Sequence, residues 1–179
     1  MFRHVNLKWA LALAVPTIAA LTVVAGAVAS PQTVTFGSSN DGASAGWAAG
    51  KGSAIELTLG SSASSFADVK LHQVHGAAIS SLTAPSFSTN DYNAGSPRYY
   101  ITLSDGNSLW GYPSNAGLNG GTFAWAINNG NTYMSWDQVQ ASAEGAATVD
   151  QAYVIADADQ AGGTVDEITG LTFGGMDYN

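Results

Sequence analysis

The fold turns on the reading of Pro97-Arg98-Tyr99-Tyr100-Ile101-Thr102-Leu103-Ser104-Asp105-Gly106-Asn107-Ser108-Leu109-Trp110-Gly111-Tyr112-Pro113. Two strand-like runs flank an Asp-Gly pair, the strongest short-range signal for a β-hairpin. The stretch holds the only arginine outside the extreme N-terminus and four large aromatic residues, Tyr99, Tyr100, Trp110 and Tyr112. Side chains alternate between the two faces of a strand, so turn length decides which of these residues stand together. A two-residue loop, Asp105-Gly106, pairs Ile101 with Trp110 and Tyr99 with Tyr112 and makes one core face of Tyr99, Ile101, Leu103, Trp110 and Tyr112. A three-residue loop, Asp105-Gly106-Asn107, pairs Leu103 with Leu109 and Tyr100 with Tyr112. Trp110 and Tyr112 then stand beside Tyr100, Thr102 and Arg98 on the opposite face. Asp-Gly favours the shorter loop, while Asn107 can take the left-handed position that the longer one wants. A slip of one residue exchanges the whole set between faces.

Outward from the hairpin the chain reads as short strands separated by Gly, Ser and Asn. Gln32 to Phe36 is a first strand, followed by a polar loop from Gly37 to Gly46. Ile55, Leu57 and Leu59 alternate with Glu56 and Thr58, as do Ala67, Val69 and Leu71 with Asp68, Lys70 and His72, the period of half-buried strands. Leu82 to Ser88 is interrupted by Pro85, which places it at an edge or a bend. Beyond the hairpin, Thr122 to Ile127 is a strand and Asn128-Asn129-Gly130-Asn131 a second turn. Ser135-Trp136-Asp137-Gln138 has the capping-box pattern for a short helix reaching about Ala143. Tyr153 to Ala156 is unbroken apolar sequence, as in a central strand, and Val165 to Phe173 closes the chain with a bulge expected at Gly170. Roughly eight to ten strands with turns about every ten residues predict an all-β fold: an antiparallel β-sandwich, jelly-roll-like, with one short helix.

The N-terminus is of another kind. Arg3, His4 and Lys8 precede an apolar run from Trp9 to Val24, and Ala27-Val28-Ala29 offers the small-x-small pattern that signal peptidase accepts. Residues 1–29 are therefore expected to be a signal peptide, with retention as a membrane anchor the competing reading, and residues 30–179 a single sandwich domain. The domain keeps Lys51, Lys70 and Arg98 against 13 acidic residues, a formal charge of −10. That balance repels phosphate backbones and anionic headgroups, which argues against nucleic-acid and membrane-surface partners and suits a neutral ligand or a cation. The expected protein is secreted, extracellular and monomeric. It has no cysteine, which excludes thiol chemistry, iron–sulfur clusters and cysteine-ligated zinc.

A signal peptide followed by a Gly/Ser/Asn-rich sandwich resembles the jelly-roll modules attached to, or secreted beside, bacterial carbohydrate-active enzymes. Tyr153-Val154-Ile155-Ala156-Asp157, a polar turn and Val165-Asp166-Glu167-Ile168 are similar to the last two strands of such modules. The Pro-Arg-aromatic strand before an Asp-Gly turn also resembles small secreted proteins of uncharacterised function. The resemblance implies a sandwich and sugar binding, and carries over no individual functional residue.

Candidate sites follow from side-chain chemistry. If the aromatic set lies on the solvated face, Tyr100, Trp110 and Tyr112 form a stacking surface for sugar rings, with Arg98 and Thr102 hydrogen-bonding hydroxyls. Asp157, Asp159 and Asp166, with Glu167, flank the penultimate turn; oxygen-rich turns of this kind can hold a structural calcium ion, and equally stand as solvated carboxylates. Glycoside hydrolysis needs two carboxylates across a cleft, and only Glu56, Glu144 and Glu167 are glutamates. His72 and His75, three apart on a strand, are expected on opposite faces and unable to chelate one ion. Gly42-Ala43-Ser44-Ala45-Gly46 has the Gly-x-Ser-x-Gly spacing but falls in the polar loop with no helix after it, so it does not read as a nucleophile elbow, and no phosphate-cradling glycine loop is present. The sequence thus favours a non-catalytic module for a neutral carbohydrate or cell-wall glycan. The alternatives are a surface protein acting by protein–protein contact and a small glycan-cleaving enzyme.

Overall fold

In a computed structural model, residues 33–90, 96–113, 123–157 and 165–178 are described. The expected signal peptide, its cleavage after Ala29, and Asp159 lie outside these residues. Six strands form one antiparallel sheet: β1 (Val34–Ser38), β4 (Phe66–Leu71), β6 (Arg98–Leu103), β7 (Ser108–Tyr112), β8 (Ala124–Ile127) and β9 (Val149–Asp157), in the order β1-β4-β9-β6-β7-β8. The second sheet holds β2 (Ser44–Trp47), β3 (Ile55–Thr58), β5 (Ser86–Thr89), β10 (Val165–Phe173) and β11 (Met176–Asp177). β10 pairs with β3, β5 and β11, and β2 pairs with β3. The result is an all-β sandwich. The chain passes repeatedly from one sheet to the other, with β6, β7 and β8 following one another as neighbours.

Period-two alternation builds the core. Ala67, Val69 and Leu71 on β4, and Ala152, Val154 and Ala156 on β9, are buried and meet Ile55, Leu57, Ile168, Leu171 and Phe173 of the facing sheet. β9 lies between β4 and β6, so the stretch Tyr153 to Ala156 is a central strand as expected. Its tyrosine and Ile155 nevertheless face outward, half-buried. Tyr99 reaches across the interior, its hydroxyl 2.9 Å from the carbonyl oxygens of Ser86 and of Thr172. Around it stand Phe87, Phe123, Trp125 and Phe173, at ring separations of 5.1–5.9 Å. Trp125 and Trp136 are core residues, whereas Trp47 is 48% exposed.

The hairpin adopts neither of the two registers weighed from sequence. Tyr100 pairs with Trp110 and Ile101 with Leu109, around a three-residue loop of Ser104, Asp105 and Gly106. Gly106, at φ 88°, takes the left-handed position, and the Asp105 carboxylate accepts from the backbone N–H of Asn107. Ser104 leaves the ladder because its N–H donates to the carbonyl of Thr148 and its hydroxyl accepts from the Thr148 N–H. The face assignment that follows is that of the longer loop: Tyr99, Ile101, Leu103 and Leu109 go inward, and Arg98, Tyr100, Thr102, Trp110 and Tyr112 go outward. The core reading favoured by Asp-Gly is overturned. Gly111 stands in the inward position opposite Tyr99, where the Trp125 ring covers it so closely that a Cβ would come within 2.7 Å.

The capping box is present, the Ser135 side chain accepting from Gln138 N–H and Gln138 Oε1 from Ser135 N–H. The helix α1 runs over Trp136–Ala141, two residues short of the expected end. The expected bulge is also present, the β10–β5 register shifting between Thr169 and Thr172 with Gly170 at φ 61°. Two strands escaped the sequence reading: β2, inside the expected polar loop, and β11, a two-residue return after Gly174-Gly175. The Pro85 run keeps only the short β5, which pairs with β10.

Candidate ligand-binding face

Successive register pairs place Thr35, Lys70, Tyr153, Tyr100, Trp110 and Ala126 in one row across the outer face of the six-stranded sheet. Tyr153 stacks on Tyr100 at 6.2 Å and 20°, and Tyr100 meets Trp110 at 4.5 Å. Three adjacent strands thereby present a continuous aromatic strip, each ring half-buried by its neighbours. Trp110 Nε1 donates to Ser108 Oγ at 3.1 Å, which fixes the indole edge. Tyr112 extends the strip sideways, meeting the exposed Tyr133 edge-on at 5.9 Å while its hydroxyl donates to Asn129 Oδ1.

Arg98 and Thr102 share this face, but both polar groups are engaged within the protein. Arg98 is buried and ion-paired with Asp157, and its guanidinium lies 5.4 Å from the Trp110 ring and 6.0 Å from that of Tyr112. It supports the rings from beneath instead of reaching for a hydroxyl. The Thr102 hydroxyl donates to Asp150 Oδ2 at 3.3 Å and accepts from Gln151 N–H at 3.1 Å. The five residues singled out from sequence therefore share one face, where three aromatics form the surface, Arg98 lies against two of them and Thr102 is bonded to β9.

Two members of the strip were missed. Tyr153 sits in sequence so apolar that no alternation is visible, and Tyr133 stands in a loop. The signal that could have found Tyr153 is its register with Tyr100, which only pairing supplies.

The acidic residues at the penultimate turn are not brought together by the described chain. Asp157 belongs to Arg98, Asp166 is fully buried on β10, and Asp159 lies outside the described residues. Among the described residues no three His, Cys, Asp or Glu side chains form a group that could hold a metal ion. Asp68, one row from Lys70, has its carboxyl pKa raised by burial, against the opposing pull of the Lys70 charge. Glu56 and Glu167 stand opposite each other on β3 and β10, with Lys51 bonded to Glu167. They lie on the outer side of the other sheet, where the lysine offsets their like charge.

The histidines depart from expectation. β4 ends at Leu71, and a turn closed by His75 N–H on the His72 carbonyl brings both rings to one groove. His72 Nε2 is 3.0 Å from Thr35 Oγ1, and His75 Nδ1 is 2.7 Å from the Asp150 carbonyl oxygen.

No family model, curated protein or solved structure matches the chain.

Proposed function

We propose that the protein is a secreted, non-catalytic module that binds a carbohydrate or cell-wall glycan on the outer face of its six-stranded sheet. The observation that carries the reading is the strip of Tyr153, Tyr100 and Trp110. Large aromatic side chains normally fill a core, and here three adjacent strands spend them on an outward face while a separate aromatic cluster fills the interior. Flat π-faces suit the apolar faces of sugar rings, and the polar groups around them suit hydroxyls. The Arg98–Asp157 pair and the Trp110–Ser108 bond hold the rings in place before ligand arrives, which lowers the entropy cost of binding.

The test is retention on a panel of soluble and insoluble glycans. The wild-type protein is expected to be held by at least one polysaccharide, and Trp110→Ala to weaken binding about tenfold or more with the fold intact. No retention on any glycan of a broad panel contradicts the proposal.

A second reading, contact with another protein, draws on Trp47, which is 48% exposed and among the described residues meets one aromatic ring, that of Phe36. Self-association abolished by Trp47→Ser on a sizing column would favour it.

A further inference from the structure

At its Tyr153 end the aromatic strip runs into a groove of about 290 Å3 lined by Lys70, Leu71, His72, His75, Asp150 and Gln151. Beyond residue 29 the chain has five basic side chains, counting histidine. Lys51 is paired with Glu167 and Arg98 with Asp157, and the other three all line this groove. In a domain carrying so much negative charge, such a concentration is local and specific.

The hydrogen-bond inventory shows which polar groups of the groove are open. Gln151 Oε1 accepts from Lys70 Nζ at 3.2 Å and from the Tyr153 hydroxyl, so both its lone pairs are used. The Asp150 carbonyl accepts from His75 Nδ1, which therefore carries its proton, and the Asp150 carboxylate accepts from Thr102. A bulge places Asp150 there, since Thr102 pairs with Gln151 and Leu103 with Val149, leaving Asp150 unpaired in the ladder. On the donor side, two N–H bonds of the Lys70 ammonium remain, and the Gln151 amide nitrogen makes no hydrogen bond among the described residues. Beside these open donors, the Asp150 carboxylate keeps lone pairs that its one bond from Thr102 does not use. A ligand whose oxygens accept from Lys70 and Gln151, with a hydroxyl turned toward Asp150, fits such a groove best.

We infer that the groove is the subsite for a carboxylate carried by the glycan, so that the ligand presents a uronic acid residue at this end of the strip. This rests on the glycan reading above and names its ligand class. Lys70 lies 5.4 Å from the Tyr153 ring centre, so a carboxylate held by Lys70 and Gln151 leaves its own or the neighbouring sugar ring over Tyr153 and Tyr100. The charge of the whole domain repels a long polyanion, while a single carboxylate beside Lys70 interacts within a screening length. The ligand is therefore a mostly neutral glycan with sparse acidic residues.

The experiment titrates the purified protein with a glucuronic-acid-containing oligosaccharide and with the same oligosaccharide after reduction of its carboxyl groups. The acidic form is expected to bind about tenfold more tightly, the scale of one charge-assisted contact. Lys70→Gln and, independently, Gln151→Glu are expected to remove that preference while binding of the reduced form persists and thermal unfolding is little changed. Trp110→Ala is expected to weaken both ligands alike. Equal binding of the two ligands by wild type, or a preference unchanged in both groove variants, overturns the inference and leaves the glycan reading standing. Binding of neither overturns both. Sodium acetate or inorganic phosphate binding in a Lys70-dependent way, with no gain for the acidic oligosaccharide, marks a bare anion site and also overturns the inference.

Discussion

Tyr99 carries a hydroxyl from the six-stranded sheet to two carbonyl oxygens of the facing one, in a position closed to water. Tyr99→Phe leaves those carbonyls without that donor, and a loss of about 1–2 kcal/mol is expected from chemical denaturation. Burial also raises the Tyr99 pKa well above its ordinary value, and it pushes Tyr178, whose hydroxyl has no hydrogen-bond partner among the described residues, up to about 12. The folded chain holds these protons more tightly than the unfolded chain. Their contribution to stability is therefore complete below pH of about 10 and is lost as pH rises beyond it. Denaturation midpoints measured across that window should fall, and fall less steeply in Tyr178→Phe. Arg98 makes the corresponding claim for the outer aromatic face. Asp157→Asn should cost about 1–3 kcal/mol and loosen the Trp110 and Tyr112 rings, because a buried guanidinium loses its charged partner. A double-mutant cycle with Arg98→Met measures the coupling directly. Arginine in a strand beside aromatics reads from sequence as a ligand contact. Only its burial and its partner, 59 residues away in the chain, identify it as a support.

At the scale of elements, the hairpin shows what was legible and what was not. Its existence, strands and turn region follow from the Asp-Gly pair and the flanking aromatics. Its register does not, because Thr148, far along the chain, takes Ser104 out of the ladder and Gly106 then supplies the left-handed residue. A tertiary partner overrides the local turn preference, and every outward aromatic depends on that choice. Gly111 is part of the same arrangement. Gly111→Ala is expected to lower stability by about 1–3 kcal/mol, since the Trp125 ring must shift into a filled core. The capping box and the Gly170 bulge were legible because each is local chemistry, a side chain or a flexible backbone acting within a few residues. β2 was not, since Ser44-Ala45-Gly46-Trp47 has no alternation of its own and becomes a strand by pairing with β3. His72 and His75 met in one groove for the same kind of reason: the strand ended one residue before the first of them.

For the molecule as a whole, composition and period-two patterning were sufficient for a sandwich, because the eleven strands among the described residues, built mainly of alternating residues, have few other ways to bury one face. The candidate site was legible as a set of residue types and only half legible as a place. Arg98, Tyr100, Thr102, Trp110 and Tyr112 do stand on one face. Tyr153 and the Lys70 groove join them through strand pairing, and Tyr133 through a ring contact from a loop, none of which a local pattern encodes. The central claim is that glycan binds along the row from Lys70 to Trp110. Its most direct measurement is chemical-shift mapping of the isotopically labelled protein during titration with a retained oligosaccharide. Shifts confined to Lys70, Tyr153, Tyr100, Trp110 and Tyr112 are predicted, with the core ring of Trp125 and the exposed ring of Trp47 unmoved. Shifts centred on Trp47 and Phe36, with the row unchanged at saturating ligand, contradict the account.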